Sequence, residues 1–88
     1  MRSYKTSVTS TRQLLIDSDN QNRTVYIHHD ADADIVFIGG ADVTETNGFH
    51  IHKLETLTFF LPIGEKIYAI KDASGDPIDV WVLLPDGD

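Results

Sequence analysis

No cysteine occurs in the 88 residues, so neither a disulfide framework, nor a thiolate zinc site, nor a cysteine nucleophile can be built. Stability has to come from packing or assembly. Basic side chains are scarce: seven Lys and Arg stand against fourteen Asp and Glu, a formal charge of −7. Nucleic acid is therefore not an expected partner, because neutralising phosphates needs clustered cations. Long apolar runs are missing too. The longest near the N-terminus is Leu14 to Ile16, far short of a signal h-region or a membrane span, so no membrane association is expected. No stretch of about ten residues repeats the i, i+3, i+4 spacing of a stable helix. No Gly-x-Ser-x-Gly and no phosphate-binding glycine loop is present, and an enzyme is not expected.

What the chain does contain is short alternating apolar segments between clusters of turn-forming residues. Thr11 to Ile16 reads as a strand, followed by the turn-rich run Asp17-Ser18-Asp19-Asn20-Gln21-Asn22. In Arg23 to His29, Val25 and Ile27 share one face, with Thr24, Tyr26 and His28 on the other. Ile35 to Ile38 is apolar throughout, which predicts a strand covered on both faces. Phe49 to Leu61 carries period-two apolar positions that fall out of phase near His52 to Leu54, so two strands can share it. Lys66 to Lys71 and Ile78 to Leu84 complete the set, with Val80 and Val82 opposed by Trp81 and Leu83, and Pro85 as a stop. The expected fold is all-β: a single small β-sandwich or partly closed β-barrel of about six or seven short strands.

Residues 1–10 are small, hydroxylated and mildly basic. They are expected to form an extended N-terminal arm preceding a single β domain over 11–88. Tyr4 and Val8 are its only anchors, and together with Trp81 they are the candidate interface residues. The segment Ile35 to Ile51, IVFIGGADVTETNGFHI, contains the sharpest corner. Gly39, Gly40, Asp42, Asn47 and Gly48 are assigned as its structural turn, with positive φ expected at the glycines and Asp42 and Thr44 bonding their own backbone.

Val36, Phe37, Ile38, Gly39, Gly40, Asp42, Val43, Thr44, Asn47, Gly48 and Phe49, followed by Leu54, Leu57, Gly64 and Ile67, Tyr68, Ala69, Ile70, resemble the motif of small β-rich structural proteins of tailed-bacteriophage virions. The resemblance spans roughly Arg23 to Leu84 and departs from the pattern at Glu65-Lys66, at Ile51 to Lys53 and in the acidic run Asp30 to Asp34. It implies a non-enzymatic virion protein made in the bacterial host cytoplasm. A capsid decoration protein on the outer head lattice is the first expectation, with the major capsid protein or other virion proteins as partners and a homo-oligomeric state. A tail or head–tail connector module is the alternative.

Two patterns approach metal chemistry. His50-x-His52 with Glu55 resembles the ligand set of cupins, which makes a small metal-binding protein a further alternative, but no later histidine returns to complete the set. Asp30, Asp32 and Asp34 alternate as in a calcium loop, yet Ile35 stands where an EF-hand needs glycine and Ala41 where it needs glutamate. No metal and no cofactor is therefore expected, and the five residues read as a polar strand edge and an acidic turn.

Overall fold

Period-two alternation puts one face of each strand toward a shared interior, and in the computed structural model that interior lies between two sheets. Residues 2–18, 20–29, 35–51, 55–72 and 77–84 are described. They form eight strands: β1 (Arg2–Val8), β2 (Gln13–Ile16), β3 (Arg23–His29), β4 (Val36–Gly39), β5 (Phe49–Ile51), β6 (Thr56–Leu61), β7 (Ile67–Lys71) and β8 (Ile78–Leu84). One four-stranded sheet has the order β1-β8-β3-β6 and the other β2-β7-β4-β5, all neighbours antiparallel. The architecture is thus the expected all-β sandwich rather than a closed barrel.

The core takes alternate residues from both sheets. Val25 and Ile27 of β3, Val80, Val82 and Leu84 of β8, Leu61 of β6 and Val8 of β1 meet Leu15, Ile16, Val36, Ile38, Ile51 and Ala69 of the second sheet. Burying each branched side chain stabilises by about 1.5–3 kcal/mol, which is why the alternation dictates the strand faces. The segment Phe49 to Leu61 does divide. Phe49–Ile51 pairs with β4 in one sheet and Thr56–Leu61 with β3 in the other. The phase break at residues 52–54 lies outside the described residues.

The N-terminal arm is a correction. Its residues form β1, paired over seven positions with β8 from Arg2↔Leu84 to Val8↔Ile78. Val8 is fully buried, and the Tyr4 hydroxyl donates to the Leu15 carbonyl at 2.8 Å, tying β1 to β2. The segment has little apolar content, but Tyr4, Thr6 and Val8 alternate in phase with the core. A backbone ladder needs no particular side chains, so β8 supplies what the sequence of the segment does not.

Deletion of residues 1–10 is accordingly expected to abolish cooperative folding, since it uncovers one side of β8 and removes Val8 from a core whose net stability is about 5–15 kcal/mol. Thermal melting followed by circular dichroism checks this. A truncated chain melting at the full-length temperature would show that β1 is dispensable.

Candidate functional site

In the sheet of β1, β8, β3 and β6 the residues alternate with the core and point outward. The registers align them in rows across the face. Lys5, Trp81, His28 and Thr56 form one row, and Ser3, Leu83, Tyr26 and Thr58 the next. Between them lies an open groove of about 500 Å³, whose floor is Tyr26, Trp81 and Leu83 and whose rim carries Ser3, Lys5, His28 and Thr56. Trp81 and Tyr26 remain 39% and 36% exposed, although both are large aromatics on interior strands of the sheet.

Local bonds set the shape of this face. His28 lies beside Trp81 with ring centroids 6.3 Å apart and tilted by 41°. Its Nδ1 is 3.2 Å from the Glu55 carbonyl and 3.4 Å from the Thr56 hydroxyl, so the ring is held toward the start of β6. Lys5 and Asp79 form an exposed ion pair at 3.7 Å, and Ser7 donates to the Asp79 carboxylate at 3.1 Å. Such a pair orders the rim more than it stabilises the fold. A rigid aromatic floor with a polar rim suits recognition of an extended surface, where Trp and Tyr supply contact area at low conformational-entropy cost.

The candidate interface residues separate. Trp81 is on the outer face, whereas Val8 lies in the core and half-buried Tyr4 packs against it. Val8 is corrected from interface to interior, whereas Tyr4, packed against the core, also lines the groove. Tyr26 and His28 join Trp81 instead, and the signal for them was the alternation itself, which sets positions 26, 28, 81 and 83 opposite the core residues.

The turn residues occupy a loop folded over the outer side of β4. Val43 N–H donates to the Gly40 carbonyl at 3.1 Å and Gly48 N–H to the Thr44 carbonyl at 2.9 Å. The Asn47 side chain clamps the loop, accepting from Thr44 N–H at 2.7 Å and donating to the Asp42 carbonyl at 3.3 Å. The Thr44 hydroxyl accepts from the backbone of Thr46 and Asn47. Asp42 contributes its main-chain carbonyl to this set. Val43 and Phe37 are buried beneath the loop, which gives β4 cover on both faces as expected.

Positive φ at Gly39, Gly40 and Gly48 is not what this loop uses. Among the described glycines only Gly64 has it, at 84°, in the turn where Glu65 N–H reaches the Pro62 carbonyl. The requirement at Gly48 is space, because a Cβ there would lie 2.5 Å from the Phe37 Cβ and 2.9 Å from the Thr44 carbonyl oxygen. At Gly39 it would meet the Val43 methyl at 3.0 Å, and at Gly40 nothing closer than the Asp42 carboxylate at 3.5 Å.

Of the metal candidates, Asp30, Asp32, Asp34 and His52 lie outside the described residues. His50 is exposed, and its ring meets Phe37 edge-on at 4.9 Å. Among the described residues no three His, Cys, Asp or Glu gather closely enough to hold a metal ion. The buried polar groups belong elsewhere. His29 is fully enclosed with Nε2 2.6 Å from the Ile51 carbonyl, so Nε2 carries the hydrogen, and this bond joins the two sheets. Lys71, 2% exposed, donates to the Asp72 carbonyl at 3.1 Å.

No protein-family model, curated protein or solved structure matches the chain.

The glycine geometry separates two substitutions. Gly48→Ala is expected to destabilise by about 1–3 kcal/mol, the scale of forced overpacking, because the blocking atoms are backbone and a buried Cβ. Gly40→Ala is expected to change stability by less than about 0.5 kcal/mol, as an exposed site with ordinary contacts should. Urea denaturation of the two variants measures the difference, and equal destabilisation would refute the steric account.

Proposed function

We propose that the chain is a non-enzymatic structural protein of a tailed-bacteriophage virion, a decoration protein bound to the outer lattice of the head. The resemblance over Arg23 to Leu84 supplies the virion. The observation that carries the binding role is the open aromatic groove on the outer face of the β1-β8-β3-β6 sheet, with Trp81 and Tyr26 held exposed on strands whose other side is core. Interfaces are enriched in these two residue types, and an open, shallow sheet face fits a protein surface better than a small enclosed ligand.

In this reading the body of the sandwich makes the contact and β1 only frames it. Trp81 acts as the central anchor, Tyr26 and Leu83 extend the apolar strip, and Lys5 with Asp79 fixes register at the rim. A chain of charge −7 binds best where the head surface presents compensating positive charge, so association should weaken with salt.

Quantitative mass spectrometry of purified particles tests the location: hundreds of copies per particle are expected for decoration, and a dozen or fewer would move the chain to the tail or connector. Binding of purified protein to undecorated heads tests the face. Trp81→Ala is expected to weaken binding by roughly thirtyfold or more, the scale of a hot spot of about 2 kcal/mol, with the fold retained. Absence from particles, or full binding by Trp81→Ala, would refute the proposal.

A further inference from the structure

The sandwich has four edge strands, and three carry features that discourage further pairing. β1 includes Arg2 and Lys5 in its sequence, β2 is four residues long with a register shift between Leu14 and Ile16, and β5 is three residues long. Charges, irregularity and shortness are the usual ways of blunting an edge. β6 has none of them. Its sequence, TLTFFL, holds no charge and no proline, and it pairs with β3 over six successive positions without a shift.

The surroundings of this edge are apolar as well. Phe60 is 60% exposed on the strand, Phe49 is 62% exposed on β5, and Ile63 is 58% exposed just beyond it. Beside β6 the sandwich opens into a cleft of about 250 Å³ lined by Ile38, Phe49, Leu57, Phe59 and Ile67. Core-type side chains therefore line an opening next to a ladder that no described residue covers.

We propose that β6 is a self-association edge: two copies of this chain pair β6 to β6, antiparallel about a two-fold axis, joining two four-stranded sheets into one of eight strands. A second copy fits for three reasons. An antiparallel two-fold is self-complementary, setting the inward Leu57 and Phe59 of one chain beside those of its mate and the outward Thr58 and Phe60 likewise. The strand is uncharged, so two chains of −7 meet without placing like charges in contact. The area is adequate: the exposed parts of Phe49 and Phe60 alone amount to roughly 200–250 Å². With Ile63, Leu57, Phe59 and the backbone edge, the patch reaches several hundred Å² per chain, toward the lower end of the roughly 600–800 Å² per partner of specific interfaces. A patch of this size suits a weak, concentration-dependent dimer. The inference does not rest on the virion reading, since a dimer that ignores phage heads would overturn that reading and leave this one intact.

Sedimentation velocity between roughly 5 and 500 µM tests it. The wild-type chain is expected to shift from monomer to dimer across this range, and Thr58→Lys/Phe60→Lys, both at solvent-facing positions, to weaken dimerisation at least tenfold with the melting temperature retained. Ser7→Lys on β1 is the control and should dimerise normally. Because the chain has no cysteine, Thr58→Cys provides a second arm. A short bis-maleimide should link it into a covalent dimer, and should fail to link Ser7→Cys. A wild-type chain monomeric throughout would overturn the proposal, including the case in which the edge instead takes up an extended segment of another protein. A dimer that survives the β6 double variant, or cross-links equally through Ser7→Cys, would overturn it too.

Discussion

The structure depends on burying the inner face of β8 between two neighbouring strands and a second sheet. Val80 and Val82 are effectively inaccessible, β1 flanks them on one side and β3 on the other, and the opposite sheet closes over them. A short chain without disulfides has few other sources of stability, because a domain this size buries only about two-thirds of its unfolded surface. The outward residues of the same strand are thereby fixed. Trp81 cannot turn into the core without turning Val80 and Val82 out of it, so the aromatic groove is a consequence of the packing that stabilises the fold.

Polar groups enter the core at the ends of that packing. His29 continues the inward phase of Val25 and Ile27, and Lys71 that of Ile67 and Ala69, so both are drawn into low-dielectric surroundings by their position in the strand. Leaving such groups unbonded costs about 1–3 kcal/mol or more. The His29 bond to the Ile51 carbonyl meets that demand and also links β3 to β5 across the two sheets. Lys71 is similarly engaged, with its ammonium on Asp72 and its backbone N–H on the Thr9 carbonyl. Of these contacts the His29 bond is the one that ties the two sheets together, while those of Lys71 satisfy its own polar groups locally.

The two sides of the molecule differ in how they meet solvent. The outer face of the β4 sheet is sealed locally by the loop from Gly40 to Gly48, which buries Val43 and Phe37 and leaves His50 on the surface. The outer face of the β8 sheet has no such cover among the described residues and keeps its aromatics exposed around the groove. Among the described residues the β6 edge pairs with no further strand, and apolar side chains lie beside it. The groove and the edge adjoin at β6, whose Thr56 lines the groove.

The sequence by itself determined the all-β class, most strand positions and the inward or outward sense of nearly every strand residue, because alternation is a local property of extended backbone. It showed Val80 and Val82 facing away from Trp81, Val25 and Ile27 away from Tyr26, and the division of Phe49 to Leu61. Extending the same phase by one step would also have marked His29 and Lys71 as buried. Only the tertiary structure decided which strands are neighbours. That choice turned Arg2–Val8 from an arm into β1, moved Val8 inside, and set Tyr26 and His28 beside Trp81. It also changed the reason for a glycine at position 48 from backbone twist to the nearness of Phe37. Pairing partners and close approaches are long-range contacts, chosen by the total area buried when every strand is in place, and no local pattern of side chains records that sum.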